Sequence, residues 1–232
     1  MNFLERLFGI DLKTFLLSLP IILIALVVHE VSHGYIAMKL GDPTARNLGR
    51  LTLNPLKHLD PIGTICMVFF HFGWAKPVPI NTRYFKKPKR DMALTALAGP
   101  VSNFILGFFG ILVYRILYAI FTNVAGPTTP DLAINVMNTT LNFFYMFGFL
   151  NVSLGVFNLI PIPPLDGSRI LLVFLPTKAY FAVMKYERYI MIGFFVLLFV
   201  GRRVGFIFSP ISTLVGWIID GMDWLIRLIP GL

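Results

Sequence analysis

The chain reads as an all-α polytopic membrane protein with about four to six transmembrane segments and a short re-entrant or β-hairpin element at the cytoplasmic surface. Three observations lead there. Of 232 residues, 56% are hydrophobic and 13% charged, and the mean hydropathy is +0.77, whereas soluble domains carry about 25% charged residues. Apolar runs of crossing length alternate with loops rich in lysine, arginine, proline and glycine. The net charge of +9 is gathered in those loops, which points to topology and lipid headgroups and away from nucleic acid.

One membrane-embedded domain is expected over 1–232, with no room for a large soluble unit. The single cysteine, Cys66, excludes an internal disulfide and a multi-cysteine metal knot. No cleavable signal peptide is expected, because the first apolar run leads straight into the chain's densest cluster of ionisable residues.

The elements follow in order. Residues 1–13 mix apolar and charged residues as an interfacial segment does. A helix is expected over 14–40, with Pro20 as a kink or effective start and Gly41-Asp42-Pro43 as its stop. Within it, Gly34 and Ala37 suit close helix packing. Residues 44–60 alternate in short pieces, as a strand or hairpin at the membrane surface would. Residues 61–72 are apolar but too few to cross, which suits a re-entrant segment. Residues 74–90 are basic and proline-rich and complete a 44–90 surface region. A helix over 91–122 follows, with Arg115 reaching for the far interface. The next helix covers 138–160, then a proline-broken turn and short helix cover 161–175. C-terminal helices are expected over 189–229. There, 189–204 is one apolar segment, and 206–228 is either a further crossing or a surface helix, with Asp220 and Asp223 opposing the crossing.

Lysine and arginine number three in 42–60, six in 74–90, none in 123–137 and four in 163–188. The positive-inside rule then puts all but the third of these loops in the cytoplasm. The 14–40 helix runs inward, 91–122 outward and 138–160 inward. Arg202 and Arg203 fall on the outer side and oppose the rule unless their segment does not cross.

The chemistry centres on residues 21–40, an apolar run ending in His29-Glu30-Val31-Ser32-His33 and Gly34. The H-E-x-x-H pattern puts two imidazoles one turn apart on one helical face, within reach of one metal ion, and leaves the glutamate beside it as a base for water. Chance could produce this spacing. However, two of the four histidines and one of the three glutamates fall within five residues, and ionisable groups beside hydrocarbon are functional-site candidates by default.

A catalytic zinc keeps three protein ligands. Position 39 is Lys39, so a third histidine six residues after His33 is excluded. Glu187 lies in Lys185-Tyr186-Glu187-Arg188, which reads as a solvated face. Asp42 suits a helix end, Asp60 and Asp91 lie in loops, and Asp131 is on the wrong side. Asp166 follows Pro161-Ile162-Pro163-Pro164-Leu165. Such irregular backbone survives at membrane depth only inside protein or beside water. Metal ligation is preferred for Asp166 over capping of the next helix. Asn103 is either helix–helix glue or a partner near the centre. His58 is either a surface histidine or a substrate-positioning residue. His71 is interfacial.

These residues resemble a family. His29-Glu30-Val31-Ser32-His33, then Gly99-Pro100 with Asn103, then Asn158, Pro161, Pro164, Leu165, Asp166 and Gly167, are similar to the motifs of site-2 proteases, the intramembrane zinc metalloproteases. Residues 54–61 resemble the loop after the metal helix in the compact members, and the likeness covers about residues 20–172. The resemblance implies one Zn2+ ion on His29, His33 and Asp166, with Glu30 as the catalytic base. It implies hydrolysis of peptide bonds within transmembrane segments of membrane-protein substrates, as in regulated intramembrane proteolysis. Asn103 and His58 are carried as substrate-positioning candidates. No PDZ or CBS module is expected. The partners implied are a transmembrane protein substrate and the lipid bilayer, with a homo-oligomer open and no nucleic acid. The location is the plasma membrane, with the site toward the cytoplasm. A metal-ion transporter or a non-catalytic relative is the alternative.

Overall fold

The computed structural model describes residues 12–64, 75–204 and 208–230. Helix α1 (Leu12–Lys39) is followed by the short α2 (Thr44–Asn47) and a 3-10 turn at Pro55–Lys57. A second 3-10 turn at Thr82–Tyr84 leads into α3 (Pro88–Val124). Then come α4 (Asp131–Asn158), α5 (Asp166–Leu172), α6 (Thr177–Val204) and α7 (Phe208–Arg227). Among the described residues the architecture is all-α, and α1, α3 and α4 are each long and apolar enough to cross a membrane.

The strand or hairpin expected over 44–60 is not there. Asp42 instead turns the chain into α2, its Oδ1 accepting from the Thr44 backbone N–H at 2.9 Å and from the Thr44 hydroxyl. Asn54 caps the 3-10 turn in the same way, its Oδ1 accepting from the Leu56 N–H at 3.1 Å, with Pro55 at the first position of the turn. Side-chain caps at both points satisfy backbone groups that a ladder would have used. The β pairing among the described residues is a single bridge, Leu59 to Ala75. Most of the 61–72 re-entrant segment, with Cys66 and His71, lies outside the described residues.

Other boundaries also move. Pro20 sits inside α1 without ending it. Helix α4 begins at Asp131, seven residues before the expected 138, because Asp131 follows Pro130 and puts a carboxylate in the first turn. The basic stretch before 189 is helical within α6.

Helices α3 and α4 pack closely through small residues. A Cβ on Gly110 would lie 2.7 Å from the Gly148 nitrogen, and one on Gly148 would lie 2.5 Å from Ile111 Cδ1. Helix α7 lies against this pair. Val215, Ile219 and Ile226 bury with Ile111, Val152 and Val156 in one apolar cluster. Arg115 has a partner within the protein. It pairs with Asp223 of α7, which also takes the Arg227 Nε at 2.9 Å. A carboxylate brought beside it by a distant helix offers the guanidinium a better partner than headgroups do.

Candidate metal centre

His29 and His33 project from α1 toward α3, their rings edge to face with centroids 4.6 Å apart. Both are buried, with 5% and 6% of their surface exposed. Each ring is oriented from behind. His29 Nδ1 lies 3.0 Å from Asn103 Oδ1 and His33 Nδ1 lies 2.7 Å from the Thr95 carbonyl oxygen. Those oxygens only accept, so each Nδ1 donates its proton, and in the neutral ring Nε2 keeps a lone pair.

The two Nε2 atoms stand 3.0 Å apart. Asp166 Oδ2 completes the group, 3.1 Å from His29 Nε2 and 3.3 Å from His33 Nε2. A single proton could relieve only one of these contacts at a time, and Asp166 Oδ2 is buried without a hydrogen-bond donor among the described residues. Three lone-pair atoms facing one another are what a cation binds. Their spacing fits a tetrahedral zinc shell, in which neighbouring ligand atoms lie about 3.4 Å apart. Among the described residues, these three form the group of histidine, cysteine and carboxylate side chains close enough to share an ion.

The surroundings explain how Asp166 arrives there. After α4 ends at Asn158, the chain turns through Pro161, Pro163 and Pro164, with the Pro163–Pro164 bond cis. Leu165 then caps α5 in extended conformation and Asp166 occupies its first position. Gly167 is required by space, since a Cβ there would overlap the Leu159 carbonyl. The Ser168 hydroxyl donates to the Leu165 carbonyl oxygen at 2.7 Å, and Arg169 pairs with Glu187 of α6. Glu187 therefore braces the turn instead of lining a solvated face. Gly99 of α3 presses on the histidines: a Cβ there would lie 2.5 Å from His33 Nε2 and 2.6 Å from His29 Nε2.

Glu30 is half-buried, and its Oε2 accepts the Val78 backbone N–H at 2.8 Å. Asn103 is fully buried on His29, and its Nδ2 has no partner among the described residues. His58 is buried, contrary to its reading as a surface histidine. Its Nε2 donates to the Thr52 carbonyl oxygen at 2.8 Å, and its contacts tie down a loop instead of reaching the triad. The roles of Thr95 and Val78 had no mark in the sequence, since a carbonyl and an amide look the same at every position, and Gly99 was marked only as part of a motif, without its contact to the histidines.

Comparison with known proteins agrees with this geometry. The family model described as Peptidase family M50 matches residues 17–201. YwhC of Bacillus subtilis is 39% identical over 216 residues, 90% of this chain and 91% of that protein. Rip2 of Mycobacterium tuberculosis H37Rv is 26% identical over 212 residues, 89% of this chain and 71% of that protein. Zinc metalloprotease MJ0392 of Methanocaldococcus jannaschii is 28% identical over 158 residues, 68% of this chain and 34% of that protein. No solved structure matches. With two imidazoles and one carboxylate converging beside a glutamate in a membrane-spanning body, the chain belongs to peptidase family M50 and is an intramembrane zinc metalloprotease of the site-2 protease type.

Proposed function

We propose that His29, His33 and Asp166 together hold one zinc ion and that Glu30 is the base for hydrolysis of a peptide bond inside a substrate's transmembrane segment. The observation that carries this reading is the convergence of three ligand atoms within 3.0–3.3 Å of one another. Zinc held there supplies Lewis acidity, polarising the scissile carbonyl and bringing the pKa of water down to about 7. Glu30 takes the proton as water attacks and returns it to the leaving amine. Asn103 and the Thr95 carbonyl fix the tautomer and orientation of the two imidazoles. The Asn103 amide, whose Nδ2 is free of partners among the described residues, is available to the substrate backbone.

The substrate helix unwinds locally to present its carbonyl. The site lies toward the cytoplasmic side of the plasma membrane, the side of the basic loops. A single domain carries the activity. Helix α7 adds a crossing to α1, α3 and α4. Its contacts with α3 and α4 and its pairing of Asp223 with Arg115 support that, despite three charged residues. His58 belongs to the loop that borders the cleft.

The test is Glu30→Gln in purified protein with a model transmembrane substrate. Zinc content is expected to stay at the wild-type level while cleavage falls at least about a thousandfold. Retained turnover would remove Glu30 as the base.

A further inference from the structure

Three buried polar residues take no part in the triad, and all three close on one stretch of chain. Asp42, Arg50 and His58 expose 0%, 8% and 1% of their surface. The stretch is residues 75–81, Ala-Lys-Pro-Val-Pro-Ile-Asn. At its start, the Lys76 N–H donates to the His58 carbonyl oxygen at 2.7 Å and the Arg50 guanidinium donates to the Lys76 carbonyl oxygen at 2.7 Å. Ala75 pairs with Leu59 in the bridge already described. At its end, the Asn81 N–H donates to Asp42 Oδ2 at 2.6 Å. Between these anchors the Val78 side chain is buried over α1, so that a Cβ on Gly34 would lie 3.0 Å from Val78 Cγ1.

Only one backbone donor is left in the middle of this stretch. Pro77 and Pro79 have no N–H, so between Lys76 and Ile80 the amide of Val78 is the sole donor, and it goes to Glu30 Oε2 at 2.8 Å. A glutamate has three rotatable side-chain bonds, and a general base works only when its oxygen is held in line with the proton it takes. Pinning one oxygen leaves the other as the working atom.

We propose that residues 75–81 are a strap whose Val78 amide positions Glu30, and that Arg50, Asp42 and His58 are positioning residues acting on Glu30 through this strap. The inference rests on Glu30 being the base. It gives the Arg50 and Asp42 side chains and the His58 backbone carbonyl one shared purpose. It also accounts for a proline on either side of Val78: they leave Val78 the one donor facing the helix and confine the backbone.

The experiment uses the full-length, zinc-loaded protein. Arg50→Ala removes the donor to Lys76. The expected result is wild-type zinc content and KM within about twofold, with kcat lowered about tenfold or more. Arg50→Lys, which keeps a donor at that point, is expected to recover kcat to within about threefold of wild type. The contact itself is read by amide hydrogen exchange. In Glu30→Ala the Val78 amide loses its acceptor and is expected to exchange at least about tenfold faster than in the wild type, with zinc retained.

Unchanged kcat in zinc-bearing Arg50→Ala, a loss of kcat that follows zinc loss, or failure of Arg50→Lys to recover activity would overturn the proposal. So would Val78 exchange that is indifferent to Glu30. If Arg50→Ala does not accumulate as zinc-bearing protein, Asp42→Ala, which removes the acceptor of the Asn81 N–H, is held to the same kinetic outcomes. Cleavage by Glu30→Gln would refute Glu30 as the base, a separate result from the exchange readout of the strap.

Discussion

Two polar clusters sit within this apolar body, and they are built on opposite plans. At the triad, His29, His33 and Asp166 bring three metal-ligating atoms together with no neighbouring cationic side chain among the described residues to pair them. Between α3 and α7, Arg115 meets Asp223 and Arg227 joins from one turn on. The second cluster is complete as it stands, since a guanidinium fork matches a carboxylate. The first is complete only with a cation. Burial does not distinguish a working polar group from a structural one here. The balance of donors and acceptors does.

That contrast can be broken at either cluster. The largest effect is expected from Asp166→Ala, which removes the one anionic ligand atom. Bound zinc in purified protein should fall from one ion per chain to near zero, and cleavage with it. Zinc content equal to wild type would show that another residue completes the shell.

Next come the groups behind the rings. Asn103→Ala leaves His29 Nδ1 without its acceptor, and loss of such an orienting partner costs roughly 10- to 100-fold in metal affinity or activity. A competition titration against a chelator measures it. Gly99→Ala is expected to weaken zinc by a similar factor of roughly 10 to 100, because its Cβ would lie 2.5 Å from His33 Nε2 and moving either ring would break the hydrogen bond at its Nδ1. Both effects should appear as metal loss, in contrast to the strap variants, which are expected to keep the metal and lose kcat.

The smallest effect on catalysis is expected at the self-satisfied cluster. Arg115→Leu alone leaves Asp223 with only the Arg227 guanidinium and should destabilise the protein by roughly 1–3 kcal/mol, less than for a fully dry pair because about a fifth of each side chain remains open. The double variant Arg115→Leu with Asp223→Leu should recover most of that stability, measured by thermal unfolding in detergent, while zinc content and kcat stay at wild-type values. A loss of zinc in the double variant would mean that the two clusters are coupled.

What could be read from the chain follows the distances over which sequence carries information. His29, Glu30 and His33 were legible because one helical turn fixes their relation. Asp166 was legible by elimination, since so few acidic residues lie in broken backbone near an apolar run. The 44–60 strand was misread because alternation of apolar and polar residues resembles a strand, whereas Asp42 and Asn54 cap turns through side-chain bonds that alternation does not reveal. Helix α4 was started late because a polar stretch after Pro130 looked like loop. The pairing of Arg115 with Asp223 was not legible because the two residues are 108 positions apart.

Membrane character, the two-histidine motif and the candidacy of Asp166 come from composition and from local periodicity, and both survive in one dimension. The partners that make those residues work do not. Thr95 acts through a carbonyl, Val78 through an amide and Gly99 through the absence of a Cβ, and these depend on where α3 and the 75–81 stretch meet α1. Backbone groups are chemically alike at every residue, so packing alone selects which of them point at the metal site.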